Sequence, residues 1–302
     1  MRALLASLAP LLLCGCATLA PAPKVAEEPR TIAPALFQAN APVALVLSGG
    51  GFRGFAHVGV LKVLEENAIR PDLVVGASSG AIVGSLYASG LPAREVADAV
   101  ARLDDSLFAD FVLAGELGFV RGERLFRFMQ QHLRKDLLQD FPIAFAAVAT
   151  DLQSGDARAF NAGSAALAVR ASSAVPGVLT PIGIGGRLVG DGQIASPVPV
   201  IAARNLGARI VIAVDVVYQP RDASLSSAID VMFQAFTIAL RRLADHELAL
   251  ADLVIAPEIP PTSGQFGFSD REMLIAAGER AAREALPRIR TAIARRGTTG
   301  VK

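Results

Sequence analysis

The sequence feature that most restricts the possible folds is a serine between glycines at a strand-to-helix junction. The apolar run Leu73–Val75 leads into Gly76-Ala77-Ser78-Ser79-Gly80, and a helical pattern follows. This context is typical of the G-x-S-x-G turn, in which a strained backbone makes the central side chain project. Gly76 and Gly80 would let the strand and the helix approach closely. We therefore predict that Ser78 is a nucleophile, although a loop rich in Gly and Ser would give the same pattern.

A second strand–glycine–helix unit precedes this turn. The apolar run Val43–Leu47 leads into the stretch Ser48–Gly54, and another helical pattern follows. Gly49, Gly51 and Gly54 form the G-x-G-x-x-G pattern of dinucleotide-binding loops. A dinucleotide site also needs an acidic residue at the end of the next strand, and in this chain the serine turn occupies that position. The second requirement of a nucleotide site is therefore not met.

The alternative is that the glycine loop stabilises a developing oxyanion. The N–H groups of Gly49, Gly50 and Gly51 are the expected donors, and the positive end of the following helix would support them. Two successive strand–turn–helix units place this loop and Ser78 at the same edge of a parallel sheet. Acyl transfer needs this geometry.

Three blocks, taken together, resemble the patatin-like phospholipase family. The stretch Ser48-Gly49-Gly50-Gly51-Phe52-Arg53-Gly54 and the turn Gly76–Gly80 have the order and approximate spacing of its G-G-G-x-R-G and G-x-S-x-G blocks. Its third block, D-G-[GA], is matched by Asp191-Gly192-Gln193, and the likeness runs from about residue 43 to residue 199. Gln193 stands where the family usually has Gly or Ala, and Ser196 stands where Asn is common.

The resemblance implies a Ser-Asp dyad, with Ser78 as the nucleophile and Asp191 as the base. The histidines agree, because only His246 follows the acid in the chain order of α/β hydrolases. His246 lies in a helical pattern among charged residues, which indicates a solvated helix face. His57 follows the glycine loop by one turn, and we expect it to pack or cap locally.

Other residues near these blocks have weaker signals. We expect Arg53 and Gly54 to support the shape of the glycine loop, with a surface salt bridge as the alternative for Arg53. Asp151 and Asp215 follow other apolar strands, but neither has the flanking glycines of the D-G block, so they are second choices for the acid. The apolar stretch 108–119 is core or, alternatively, a lid or the wall of an acyl pocket.

The alternation of strands and helices predicts an α/β fold, a three-layer α/β/α sandwich with a mainly parallel central sheet. A hairpin is expected around Ser154-Gly155-Asp156, a long helix over Ala228–Ala251 and a terminal helix over about Asp270–Arg295. The domain would span residues 43–302. A 302-residue chain with 52% hydrophobic residues can bury a sizeable core.

The N-terminal 42 residues predict that the protein is exported and lipidated. Met1-Arg2 precedes the apolar run Ala3–Leu13, which is too short to span a bilayer. Cys16 follows a small residue, as in the bacterial lipobox, so we predict a lipoprotein signal peptide over 1–15 and lipidation of Cys16. Residues 16–42 would form a Pro- and Ala-rich tether that reaches at most about 80 Å. Ala17 favours an outer-membrane lipoprotein that faces the periplasm; an ordinary secretory signal is the alternative.

Composition limits the class of partner. The net charge is +1, which does not favour an extended phosphate-binding surface, so we expect no nucleic acid. No metal-ligand spacing is apparent in the sequence, and we expect no cofactor because the second requirement of a nucleotide site is not met. We therefore predict a metal-independent serine lipid acyl hydrolase of the phospholipase A or lysophospholipase type, with phospholipid or another acyl ester as substrate. The alternative is a non-catalytic lipid-binding outer-membrane lipoprotein.

Overall fold

The part of the chain that the structure describes folds around one eight-stranded sheet. The structure is a computed structural model that describes residues 23–32, 42–112, 117–220, 225–260 and 267–294. The signal peptide and Cys16 lie outside these residues, as does part of the tether. The strands are β1 Val43–Leu47, β2 Leu73–Ala77, β3 Ala144–Asp151, β4 Ala157–Phe160, β5 Ile182–Ile184, β6 Arg187–Gly190, β7 Ile210–Val214 and β8 Leu253–Ile255.

The strand order is β5-β6-β3-β2-β1-β7-β8, and β4 also pairs with β3. Strands β3, β2, β1, β7 and β8 are mutually parallel, whereas β4, β5 and β6 run antiparallel to their neighbours. The register pairs Leu47 with Gly76, so the glycine loop after β1 and the serine turn after β2 leave the sheet at the same edge. The predicted hairpin is confirmed, because β3 and β4 flank Ser154–Asp156.

Helices cover both faces of the sheet, which confirms the three-layer α/β/α sandwich. They are α1 Phe55–Glu66, α2 Ser79–Ala88, α3 Ala93–Val100, α4 Glu123–His132, α5 Ala165–Ser172, α6 Val200–Asn205, α7 Ala228–Leu248 and α8 Arg271–Ala294. None of the helices in the described part of the chain combines the length and the apolar character that a membrane span requires.

Successive residues of the central strands point into two separate cores. Leu45 and Leu47 join a large core with α1, α2, α3, α5 and α8, and we call this side the large-core face. Ala44 and Val46 join a smaller cluster with residues of α6 and α7, on what we call the small-core face.

Helices α1 and α8 pack closely on the large-core face, through two glycines. A Cβ at Gly59 would lie 2.0 Å from the carbonyl oxygen of Ile275, and one at Gly278 would lie 1.9 Å from that of Ala56. Real side chains do not tolerate such distances. The contact therefore requires glycine at both positions.

The two halves of α7 differ in burial. Its C-terminal half contributes Arg241, Ala244 and Glu247 to the protein interior. Its N-terminal half is solvent-exposed although it is apolar: Met232 and Phe233 are 62% and 52% exposed. The sequence predicted the helix but gave no sign of this division.

Part of the predicted tether lies on the domain. The N–H of Arg30 donates to the carbonyl of Ala162 (2.9 Å), and the hydroxyl of Thr31 donates to the carbonyl of Ala159 (2.7 Å). The carbonyl of Glu27 accepts from the N–H of Ser164 (2.9 Å). Residues 27–32 are thus hydrogen-bonded to the domain beside β4.

Two aromatic side chains of the apolar stretch 108–119 do not lie in the core. Phe111 and Phe119 are 74% and 71% exposed, and residue 111 bridges Val120 in a short ladder. The core interpretation is therefore wrong for these two side chains. Leu113 lies outside the described residues.

Candidate active site

Ser78 lies in a sharp turn between β2 and α2. Its backbone has φ 53° and ψ −123°, one of two positive φ values among the described residues other than glycine. A Cβ at Gly76 would lie 2.4 Å from the carbonyl oxygen of Gly80, and one at Gly80 would lie 2.1 Å from that of Leu47. Both glycines of the predicted turn are therefore required by close backbone packing.

The side chains of Ser78 and Asp191 are in direct contact. Ser78 Oγ donates a hydrogen bond of 2.8 Å to Asp191 Oδ2. The two residues are 4% and 1% exposed, and they come from separate elements, since Asp191 directly follows β6. The structure thus brings into contact the two residues that the family resemblance pairs, although they are 113 positions apart in the sequence.

The environment of Asp191 raises its basicity. Burial raises the pKa of Asp191 to about 6, although hydrogen bonds from the Gln193 N–H and from the Ser78 hydroxyl oppose the shift. Near neutral pH the carboxyl is therefore ionised, but it accepts a proton more readily than an ordinary aspartate does.

Backbone and hydroxyl contacts hold both members of this pair. Thr150 Oγ1 donates to the carbonyl of Asp191 (2.7 Å), and the N–H of Asp191 donates to the carbonyl of Ala174 (2.9 Å). Ser172 Oγ accepts from the N–H of Ser78 (3.0 Å) and donates to the carbonyl of Val148 (2.5 Å). Neither Thr150 nor Ser172 was predicted from the sequence as a residue of the site.

The glycine loop has two backbone donors free within the described chain. The N–H of Gly49 donates to the carbonyl of Pro197 (3.0 Å), so it is already engaged. Among the described residues, none accepts a hydrogen bond from the N–H of Gly50 or Gly51. The predicted set of three donors is therefore reduced to Gly50 and Gly51.

The residues after these glycines support the loop. Arg53 is 9% exposed, and its guanidinium lies 5.2 Å from the centre of the Tyr218 ring, so its side chain packs inside the domain. A Cβ at Gly54 would lie 2.5 Å from Ser79 Cβ. Glycine at position 54 therefore lets the start of α1 approach the start of α2.

The histidines have other roles. His57 is fully buried, its Nε2 lies 2.8 Å from the carbonyl oxygen of Ser48, and burial lowers its pKa to about 4, so the ring is neutral. His246 is exposed on α7, as predicted. Nδ1 of His132 bonds the carbonyl of Phe128 in its own helix.

The second-choice carboxylates are in ion pairs. Asp151 Oδ2 lies 2.7 Å from Arg187 Nε, and this hydrogen bond holds the pKa of Asp151 well below its usual range. Asp215 pairs with Arg241 at 2.8 Å, and both side chains are nearly buried. Neither carboxylate is paired with a hydroxyl nucleophile.

Within the described part of the chain, no group of three His, Cys, Asp or Glu side chains is placed to bind a metal ion.

A surface pocket of about 290 Å³ lies beside α4, lined partly by Arg102, Arg124 and Arg127. It does not include Ser78 or Asp191.

Comparison with known proteins identifies the family. The family model described as Patatin-like phospholipase matches residues 45–204, which is 160 of the 302 residues. The chain belongs to the patatin-like phospholipase family. The matched region contains every residue of the glycine loop from Ser48 onward, the serine turn and Asp191.

Several patatin-like relatives are uncharacterized. An NTE family protein of Mycobacterium tuberculosis is 35% identical over 178 residues, which cover 57% of this chain and 48% of that protein. One of Mycobacterium bovis is 28% identical over 278 residues, which cover 82% of this chain and 47% of that protein. The chain thus spans about half the length of these relatives.

Among solved structures, VipD from Legionella pneumophila aligns with a TM-score of 0.46 and 15% identity, covering 86% of this chain and 70% of VipD.

Proposed function

We propose that this patatin-like protein is a serine lipid acyl hydrolase that uses a Ser78–Asp191 dyad. The 2.8 Å hydrogen bond between two buried side chains at one sheet edge carries the proposal. Membership of a family of phospholipases supports a lipid ester as the substrate class.

In the proposed reaction, Asp191 takes the proton of the Ser78 hydroxyl as Ser78 Oγ attacks the ester carbonyl carbon. The carbonyl oxygen becomes an oxyanion, and the N–H groups of Gly50 and Gly51 stabilise it. The intermediate collapses, the protonated Asp191 donates its proton to the leaving alkoxide, and an acyl-serine remains. Water, deprotonated by the same carboxylate, then attacks the acyl carbon. The bond to Ser78 Oγ breaks, Asp191 returns the proton to Ser78 Oγ, and the fatty acid leaves.

The pKa of Asp191 predicts the pH dependence of this reaction. The base must be ionised, so kcat/KM should rise about tenfold per pH unit below about pH 6 and level off above it. Rates with a soluble chromogenic ester between pH 4.5 and 9 test this. A flat profile across pH 6 would contradict Asp191 as the base.

Labelling with a fluorophosphonate probe tests the proposal as a whole. The probe should form an adduct on Ser78 in the native protein. Ser78→Ala should not be labelled and should lose at least about a thousandfold in kcat. A protein that binds phospholipid but is neither labelled nor active would be the non-catalytic lipid-binding alternative.

We also propose that the domain is held close to a membrane. If Cys16 carries lipid, at most residues 17–24 separate it from the domain, because Val25 packs against the large core and residues 27–32 are hydrogen-bonded to the domain. Eight extended residues reach about 25 Å, much less than the whole predicted tether. The Cys16→Ser protein should move from the membrane fraction to the soluble periplasmic fraction, and its retention in the membrane would contradict lipidation.

A further inference from the structure

Both departures from the family pattern, Gln193 and Ser196, lie in one short segment. This segment, Gln193–Val198, directly follows the Asp191-Gly192 pair and leads into α6. The N–H of Gln193 donates to Asp191 Oδ1 (2.8 Å), the carboxylate oxygen that does not face Ser78. The segment therefore begins in direct contact with the proposed base.

The same segment contacts the glycine loop at Gly49. The carbonyl of Pro197 accepts the Gly49 N–H at 3.0 Å. The Gln193 side chain lies against the α-carbon of Gly49, since a Cβ there would be 2.1 Å from Gln193 Cγ. Gly49 is thus held by a hydrogen bond and by packing. Both contacts come from the segment that also positions Asp191.

Glu247 anchors the other end of the segment to α7. Its Oε1 accepts from the Ser196 hydroxyl (2.5 Å), and its Oε2 accepts from the Val198 N–H (2.9 Å). Glu247 is 1% exposed. A buried carboxyl with both oxygens on one loop is costly to place unless those hydrogen bonds are made, so it fixes the loop strongly.

These contacts matter because Gly49 immediately precedes the two expected oxyanion donors. A shift of Gly49 moves the N–H groups of Gly50 and Gly51 relative to Ser78. Donors act on the transition state only when they are preorganised at the position of the oxyanion, and an error of about 1 Å can cost up to about a hundredfold in rate.

We propose that Gln193 and Glu247 are positioning residues for the reaction. Gln193 holds the glycine loop in register with Asp191, and Glu247 fixes the segment through which it does so. This inference rests on the proposed function.

The main test compares Gln193→Ala with Gln193→Met. Alanine, a residue usual for the family here, removes the packing on Gly49; methionine keeps it and removes only the amide. We expect Gln193→Ala to lower kcat and the fluorophosphonate labelling rate about tenfold, with KM within about twofold of the native value. Gln193→Met should stay within about threefold of the native kcat. Gln131→Ala, an exposed glutamine of α4, is the matched control and should match the native protein.

A second pair of variants tests the anchor. Glu247→Gln keeps one acceptor for the segment, so the protein should fold, and kcat should fall about threefold to tenfold. Because both residues act through one segment, the combined Gln193→Ala, Glu247→Gln variant should lose less than the product of the single losses. Melting temperatures distinguish loss of activity from loss of fold. If Gln193→Ala does not fold, Gln193→Gly and Gln193→Met replace it.

The outcomes distinguish a failure of the proposed function from a failure of the positioning role. If the native protein is neither labelled nor active, the proposed function fails. If it is active but Gln193→Ala has native kcat, the positioning role fails while the proposed function stands. Equal losses of kcat in Gln193→Ala and Gln193→Met would show that packing of the Gln193 side chain on Gly49 is not what positions the glycine loop. A changed chain-length preference at native kcat would make Gln193 a specificity residue instead.

Discussion

The two faces of the sheet bury different kinds of side chain and contribute differently to the structure. The large-core face contains Leu45, Leu61 and Leu86, all nearly or fully buried, between the sheet and a layer of helices. The small-core face is built largely from Ala and Val, and it buries the polar contacts of Glu247 and of the Arg241–Asp215 pair. This difference indicates that most apolar stabilisation comes from the first face, while the second face sets the position of the segment after Asp191.

The largest expected effect is on the large-core face. Leu86→Ala in α2 removes a fully buried side chain and leaves a cavity, so the free energy of unfolding should fall by about 2–5 kcal/mol. Equilibrium denaturation measures this loss. At temperatures where the variant is still folded, kcat should stay within about threefold of native, since α2 is held at its start by backbone packing. A large fall in kcat without loss of stability would contradict the view that the large-core face mainly stabilises the fold.

The proposed Ser78–Asp191 dyad lies at the sheet edge between the two faces, where the requirement of the reaction for a buried base should lower the stability of the fold. The pKa of Asp191 is raised from 3.8 to about 6, so the folded protein binds a proton more tightly than the unfolded chain does. The resulting cost to stability is absent below about pH 4, grows as the pH rises to 6, and reaches roughly 3 kcal/mol above it.

Asp191→Asn should therefore be inactive but up to about 3 kcal/mol more stable than the native protein at pH 8, with no difference near pH 3. Denaturation at both pH values measures this. Asp151→Asn is the matched control with the opposite sign, because the Arg187 contact lowers the pKa of Asp151. It should be less stable than native at pH 8. A destabilised Asp191→Asn would contradict the burial cost.

On the small-core face, added volume should be harmful. Ala203 of α6 is fully buried, and Ala203→Leu should cost about 1–3 kcal/mol by overpacking. Because α6 directly follows the 193–198 segment, kcat should fall more than stability alone explains. Ala202→Leu, one residue earlier and less buried, is the control. If both variants keep native kcat, the small-core face does not control the position of the segment.

The smallest expected effect is the strain at Ser78. Its positive φ is unfavourable for any residue with a Cβ, so Ser78→Gly should be about 1 kcal/mol more stable than Ser78→Ala. Both variants are inactive in the proposed mechanism, so stability is compared without interference from turnover. Equal stabilities would show that the surrounding contacts, and not the turn itself, determine its conformation.

Much of the fold could be predicted because the relevant signals are local, whereas the pairing of Ser78 with Asp191 was implied by the resemblance of three blocks to a known family. The serine turn, the glycine loop and their placement at the same edge of a parallel sheet follow from apolar runs that end in small residues. The partners of Gly49 could not be predicted, since Pro197 and Gln193 approach it through tertiary contacts almost 150 residues away in sequence. Glu247 gave no sequence signal, because a Glu in a helical pattern among charged residues is normally solvated.

The close contact between α1 and α8 at Gly59 and Gly278 affects when the glycine loop becomes rigid during folding. Helix α1 follows the glycine loop directly, and one side of it is completed only by α8, the last helix that the structure describes. Contacts between segments so distant along the chain form late, because a long loop must close first. We therefore expect the glycine loop to become rigid only when α8 docks. Under the proposed function, a chain in which α8 has not yet docked would be inert toward lipid.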